Sequence, residues 1–440
     1  MSQTHSISFI AHHGGKLVGE CRVSGDKSIS HRSIMLGALA EGITEISGFL
    51  EGDDSLATLQ AFREMGVKIV GPEQGKVTIT GVGLHGLKQP EKPLDLGNSG
   101  TSMRLLSGLM AGQAFPSTLI GDASLSSRPM KRVTKPLLTM GAKITATEAG
   151  TAPLNITPAD QLKGIDYAMP VASAQVKSSL LLAGLYAQGQ TCVTEPAPTR
   201  DHTERMLNGF GYSVTTKNSK ICLKGGGKLT ATHLDIPADI SSAAFFLVGA
   251  SIAPNSKLLL KHVGLNPTRD GVINILRLMG AKIEIQNQRD IGGETVADLL
   301  VTSRALHGIP IPIDQVPLAI DEFPALFIAA ACAEGVTILS GAKELRVKES
   351  DRIQVMADGL LALGIECQTK EDGIVIYGGQ LTGGKVNSHG DHRIAMSFAM
   401  AALRATGNIE INDCANVKTS FPNFIELAQQ VGLQIEIQND

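Results

Sequence analysis

The stretch AFREMGVKI, residues 61–69, reads as the end of an apolar helix, a glycine stop and the start of a strand. Glycine just past a helix enters the left-handed conformation without a Cβ penalty, so Gly66 suits the stop before the chain turns into a strand. The same signature returns as LLTMGAKI at 137–144, MLNGFGYSV at 206–214, ILRLMGAKI at 275–283, LLALGIEC at 360–367 and LAQQVGLQI at 427–435. Its glycines, Gly66, Gly141, Gly211, Gly280, Gly364 and Gly432, lie 68 to 84 residues apart. One such segment would mean little, but six in register specify an internal repeat. The alternation in VKI and KIEI suits sheets with one face packed on helices.

Each repeat also carries an earlier helix rich in Ala, Ser, Gly and Leu, beginning near Lys27, Ser99, Ser173, Ala238, Ile320 and His389. Small side chains all round allow close packing on several sides, so these are expected to be central helices with sheets outside. A chain of 440 residues exceeds the size at which one core keeps growing, and three repeats per domain give two domains of ordinary size. The boundary falls near residues 225–240, where GGGKLTATHLDIPAD is rich in glycine and turn formers. Periodicity leaves open which half takes the N-terminal strand, placed at about residues 5–20.

Composition narrows the function. Hydrophobic residues are 43% of the chain, enough for two cores, and these must be mostly aliphatic because Trp is absent and aromatics are 4%. With 39 basic and 42 acidic side chains the formal charge is −3, which gives no global attraction to nucleic acid or membrane. A local cluster of Arg and Lys can still hold an anionic small molecule. The six cysteines are scattered without a CxxC pair, and read as small buried hydrophobes in a reducing compartment. The opening MSQTHSISFIAHHGG lacks the basic flank and apolar run of an export signal, so a cytoplasmic protein is expected. The apolar runs from Ala243 and Phe323 are shorter than the ~18 residues of a membrane span.

The polar motifs gather at the starts of the central helices and in the loops after them. GDKSISHRS carries Lys27, Ser28 and Arg32; GNSGTSMR carries Gly100 and Arg104; SSRPMKR carries Arg128; VASAQVKSS carries Ser173, Ala174, Gln175 and Lys177. TRDHTER brings Arg200, with Asp201 and Glu204 at capping-box spacing. NPTRD brings Arg269, IDEFP brings Asp321 and Glu322, ELRVKESDR brings Arg346, Lys348, Glu349 and Arg352, HGDHR brings Arg393, and VKTSFP brings Lys418. Helix starts offer free N–H groups and a positive dipole end to phosphate or carboxylate. Lysine adds a mobile charge and arginine a two-pronged clamp. Taken singly, GNSGTS is also a cap, RVKESDR a charged helix face, Asp321 a helix cap and His31 a packed histidine. Taken together, they suit substrates with two phosphates and two carboxylates.

GDKSISHRS, LGNSGTSMR, GDASLSSRPM, SAQVKS, RVKESDR and DHRIAMS together resemble, over the whole chain, the 3-phosphoshikimate 1-carboxyvinyltransferases, the EPSP synthases. SAQVKS, NPTR and TRDHTE are more similar to the second bacterial class of that family than to the first. The resemblance implies an α/β chain, a two-domain inside-out α/β barrel with three βαβαββ repeats per domain and the active site in the interdomain cleft. One domain is expected to join residues 1–22 to 238–440, the other to span 23–237. The N-terminal strand would then belong with the C-terminal half.

By the same resemblance, 3-phosphoshikimate is expected at Lys27, Ser28, Arg32, Ser173, Ala174, Gln175, Arg200, Asp321 and Lys348. Phosphoenolpyruvate is expected at Lys27, Gly100, Arg128, Gln175, Arg352 and Arg393. The first-class asparagine contact falls on Glu344, so that contact is not carried over. The implied reaction is enolpyruvyl transfer to the 5-hydroxyl of 3-phosphoshikimate by addition–elimination, in chorismate and aromatic amino acid biosynthesis. Asp321 would act as the base, with Glu349 and Lys27 managing protons at C3. The family implies no metal or organic cofactor, no nucleic-acid partner, and a monomer. The related transferases acting on UDP-N-acetylglucosamine carry a reactive cysteine where this chain has Ala123. A terminal-phosphate cyclase would need a histidine nucleophile and ATP, and a binding-only descendant would be expected to have lost Asp321, Glu349 or Lys27.

Overall fold

The structure, a computed structural model, describes residues 7–439. They form two compact units, one of residues 7–24, 237–290 and 294–439, the other of residues 25–236 with 291–293. In the unit built around residues 25–236 the helices are α1 (Lys27–Leu39), α2 (Asp53–Glu64), α3 (Gly100–Ala111), α4 (Ala123–Ser127), α5 (Lys131–Thr139), α6 (Ala174–Gly184) and α7 (His202–Gly209). The other unit holds α8 (Ile240–Ile252), α9 (Gly271–Leu278), α10 (Phe323–Ala331), α11 (Arg352–Ala362), α12 (His392–Ala401) and α13 (Phe424–Val431).

The six glycine stops behave as their position requires. Gly66, Gly141, Gly211, Gly280, Gly364 and Gly432 all have φ between +78° and +118°, where an L side chain is strained. The small-residue helices are the buried ones. Every residue of α8 and α10 is buried, and α8, α10 and α12 pack on one another, as α3 packs on α1 and α6. Such helices show no single apolar stripe because neighbours cover them on all sides.

No barrel forms. Among the described residues each unit has three separate open sheets of three to five strands, and none closes on itself. The repeat explains this. In the repeats of α3 and α6 the strand after the helix pairs parallel with the strand before it and antiparallel with the returning hairpin, as in Ser117–Ile120 with Leu94–Asp95 and Leu154–Thr157. Other sheets borrow a strand from a distant segment, as His233–Asp235 beside Ala40–Ser47, but every ladder ends at edge strands instead of running into the next sheet.

The N-terminal segment holds two strands, not one. Ile7–Ala11 inserts antiparallel between Ile409–Asn412 and Ile435–Asn439, while Val18–Cys21 runs parallel to Lys257–Gly264 in a different sheet. Gly14 and Gly15, both at positive φ, lie between them. Residues 5 and 6 of the expected strand lie outside the described residues.

Two of the six cysteines are not the unpaired hydrophobes their scatter suggests. Cys192 and Cys222 form a disulfide, with Cα atoms 4.1 Å apart, because they are register partners on the antiparallel strands Gln190–Thr194 and Lys220–Lys224. A separation of 30 residues conceals that register in the sequence. Cys21 and Cys414 are buried, and Cys332 and Cys367 are partly so. Among the described residues no helix is long and apolar enough to cross a membrane.

His31 is a buried, packed side chain. Its Nδ1 lies 2.7 Å from Thr58 Oγ1 on α2 and 3.3 Å from Ser102 Oγ on α3, and the ring is fully buried. Burial, with Lys27 and Arg32 adding their charges, holds its pKa well below the usual histidine range. The folded state therefore keeps the ring neutral while the unfolded chain takes up a proton near the ordinary value of 6.5. Stability must fall as pH drops below that value, by up to about 1.4 kcal/mol per pH unit from this one group. Urea unfolding at about pH 7.5 and about pH 5.5 checks this: the parent loses more stability on acidification than His31→Asn, by about 1 kcal/mol. Equal losses would contradict it.

Candidate active site

The unit of residues 25–236 presents the starts of three buried helices. Asp26, Ser99 and Ser173 cap α1, α3 and α6 by accepting from the N–H groups of Ile29 at 2.9 Å, Ser102 at 3.1 Å and Val176 at 3.4 Å. Capping satisfies one orphan donor per helix and leaves the dipole end to act on what approaches. Lys27, the first residue of α1, pairs with the buried Asp54 of α2. Arg32, one turn further, is buried and held by hydroxyls: Nε donates to Thr203 at 2.7 Å and Nη2 to Ser178 at 2.8 Å. Arg200 Nη1 donates to Ser28 Oγ at 3.3 Å.

Around α3 the geometry depends on a missing side chain. A Cβ on Gly100 would lie 3.1 Å from Arg104 Nη1 and 3.3 Å from Arg128 Nη1, so glycine lets both guanidinium groups close on the helix start. Arg128 is oriented by Asn98, whose Oδ1 accepts at 2.7 Å, and by Ser124 Oγ at 3.2 Å. Arg104 donates to Gln175 Oε1 at 2.6 Å, and Gln175 Nε2 donates to Thr101 at 3.1 Å. Three of the motif residues point elsewhere. Lys177 is turned into the core, and the capping box expected of Asp201 and Glu204 does not form. Asp201 makes no side-chain cap and accepts from Arg205 Nε at 2.8 Å, while Glu204 faces Lys177.

In the other unit a buried guanidinium gathers three carboxylates. Arg352, first residue of α11 and 1% exposed, lies 2.8 Å from Asp391, 2.6 Å from Glu349 and 3.4 Å from Asp321. Burial would lower its pKa, but the carboxylates more than reverse this, and the net shift is upward. Asp321 does not cap α10. Its Oδ1 sits 3.3 Å from Lys348 Nζ, and the capping position belongs to Glu322, which makes no side-chain cap. RVKESDR is therefore no solvated helix face: Arg346 to Glu349 lie ahead of α11, and its last arginine is buried.

Asp391 caps α12 through Arg393 N–H at 3.0 Å and accepts from Ser350 at 3.0 Å. Arg393 Nη1 is 3.8 Å from Glu322, which also accepts from Ser241. Arg269 is buried on Asp239 at 2.8 Å and Ser241 at 2.7 Å. Lys418 lies in the turn Ala415–Thr419.

Sequence reasoning passed over Asp54, Asp391, Ser178 and Thr203. Asp391 stands inside the DHRIAMS motif and was legible as a cap before α12, whereas nothing around Asp54 marks it as the partner of Lys27. The arrangement can bind oxyanions at cation-bearing helix starts and can place a carboxylate, Asp321, beside two cations.

Comparison with known proteins gives a consistent result. The EPSP synthase family model (3-phosphoshikimate 1-carboxyvinyltransferase) matches residues 11–427. The 3-phosphoshikimate 1-carboxyvinyltransferase of Methylococcus capsulatus is 68% identical over 431 residues, 98% of this chain and 99% of its own. That of Nitrosococcus oceani is 67% identical over 430 residues, 98% and 97%. The solved EPSP synthase of Acinetobacter baumannii superposes with a TM-score of 0.90 at 60% identity, covering 98% of this chain and all of that one. The enolpyruvyl transferase NikO of Streptomyces tendae, at 16% identity, TM-score 0.79 and coverage of 99% and 100%, shares the fold. The chain belongs to the EPSP synthase family.

Proposed function

We propose that this chain transfers the enolpyruvyl group of phosphoenolpyruvate to the 5-hydroxyl of 3-phosphoshikimate, releasing phosphate, in chorismate and aromatic amino acid biosynthesis. Family membership supports the reaction. The observation that carries it to residues is the Asp321 carboxylate beside Lys348 and Arg352 ahead of a buried helix. Within the family's second bacterial class, which the motifs SAQVKS, NPTR and TRDHTE support, the two substrates are assigned as follows. Arg32, Ser28, Arg200, Ser173, Ala174, Gln175 and Lys348 hold the phosphorylated acceptor. Gly100, Arg128, Gln175, Arg352 and Arg393 hold phosphoenolpyruvate, and Lys27 serves both.

Asp321 takes the proton of the 5-hydroxyl as that oxygen attacks C2 of phosphoenolpyruvate, and C3 is protonated with Glu349 and Lys27 handling the proton. Removal of a C3 proton and loss of phosphate then give the enolpyruvyl ether. A carboxylate serves as base here only if the alcohol is held within hydrogen-bond reach. The arginines and lysines stabilise oxyanion charge as it develops. For Arg352 to receive the donor, one of its carboxylates must yield, and Glu349, 31% exposed, is the least buried of the three.

Asp321→Ala leaves the folded state intact and cuts turnover by about 10²–10⁴-fold, read as phosphate release from phosphoenolpyruvate with 3-phosphoshikimate present. Full turnover in a folded sample would refute the assignment. Arg128→Ala raises KM for phosphoenolpyruvate at least about tenfold with KM for the acceptor little changed; an unchanged donor KM counts against the placement of Arg128.

A further inference from the structure

SAQVKS contains a charge that the reaction leaves unused. The Lys177 side chain is 1% exposed, and its Nζ lies 2.6 Å from Glu204 on α7 and 3.0 Å from Glu195 after the strand Gln190–Thr194. Desolvating an ammonium is strongly unfavourable and has to be offset by carboxylates, and here two meet it. Burial pushes the Glu204 carboxyl up and Lys177 pulls it back; its Oε2 is buried without a hydrogen-bond partner among the described residues.

The triad extends toward two arginines. Glu195 also accepts from Thr199 Oγ1, and Thr199 immediately precedes Arg200, which reaches Ser28. On the other side Ser178 and Thr203, chain neighbours of Lys177 and Glu204, bond each other at 2.7 Å and grip Arg32. An apolar trio of the same volume could fill the space, but it would make none of these directional contacts.

We propose that Lys177 is a positioning residue: by gathering Glu195 and Glu204 it sets Arg200 and Arg32 for the phosphate of the acceptor. The proposal rests on the acceptor assignment above. It separates this lysine from Lys27 and Lys348, assigned above to substrate, and gives SAQVKS a role beyond the start of α6.

Thr199→Val replaces by a methyl the hydroxyl that ties the Arg200 loop to Glu195. It should raise KM for 3-phosphoshikimate about tenfold, leave kcat and the KM for phosphoenolpyruvate at parental values, and be rescued by Thr199→Ser. Lys177→Met alone strands two buried carboxylates and can unfold the chain. The triple variant Lys177→Met/Glu195→Gln/Glu204→Gln keeps the shape without the charge and should fold with the same acceptor KM shift. Parental acceptor KM in both folded variants, or a change confined to kcat, overturns the proposal. Calorimetric titration of the parent with 3-phosphoshikimate tests the underlying assignment separately, since a parent that does not bind it refutes that assignment and this proposal together.

Discussion

A guanidinium that water cannot reach governs one half of this protein. Arg352 is 1% exposed, and an unpaired charge at that depth would be untenable. Asp321 ahead of α10, Glu349 in the loop before α11 and Asp391 at the start of α12 therefore have to converge on it. Asp391 also caps α12, so the ion-pair set and the helix register are fixed by one carboxylate. Removing the guanidinium would cost about 3–5 kcal/mol, because Asp391 would be left charged and buried, whereas loss of Asp321 alone leaves Arg352 two carboxylates. The chemistry proposed for Asp321 and Glu349 thus rests on side chains that folding has already placed.

The other unit reaches the same end with different means. Its cations are held by hydroxyls, amides, the Asp54 carboxylate and one buried ion-pair triad, and glycine at position 100 replaces a side chain with space for two arginines. In both units several of the polar residues stand at the beginnings of buried helices, as on α1, α3, α6 and α12. Such helices can be buried on all faces and still present a polar end, which is how a slightly acidic chain concentrates positive charge locally.

Much of this was legible in the residues. The LxxMG-like stops predicted the six second helices and their left-handed glycines, since only a Cβ-free residue is comfortable there. The motif residues at helix starts were legible for the same local reason. What escaped was set by partners distant in sequence. The Cys192–Cys222 bond follows from strand register, the inward turn of Lys177 from Glu195 and Glu204, and the Lys27–Asp54 pair from the packing of α1 on α2. The expected barrel failed because each ladder ends at edge strands after three to five strands. The capping box failed because a buried ammonium outcompeted a backbone N–H for Glu204.

The family tie and the cation-bearing helix starts converge on one acceptor, and the most direct test offers the purified chain two. Phosphate release from phosphoenolpyruvate is followed with 3-phosphoshikimate in one reaction and UDP-N-acetylglucosamine in another, with mass spectrometry of the products. Release with the first alone, accompanied by its enolpyruvyl ether, is the predicted result. Release with the second alone, or with neither from a folded sample, would contradict it.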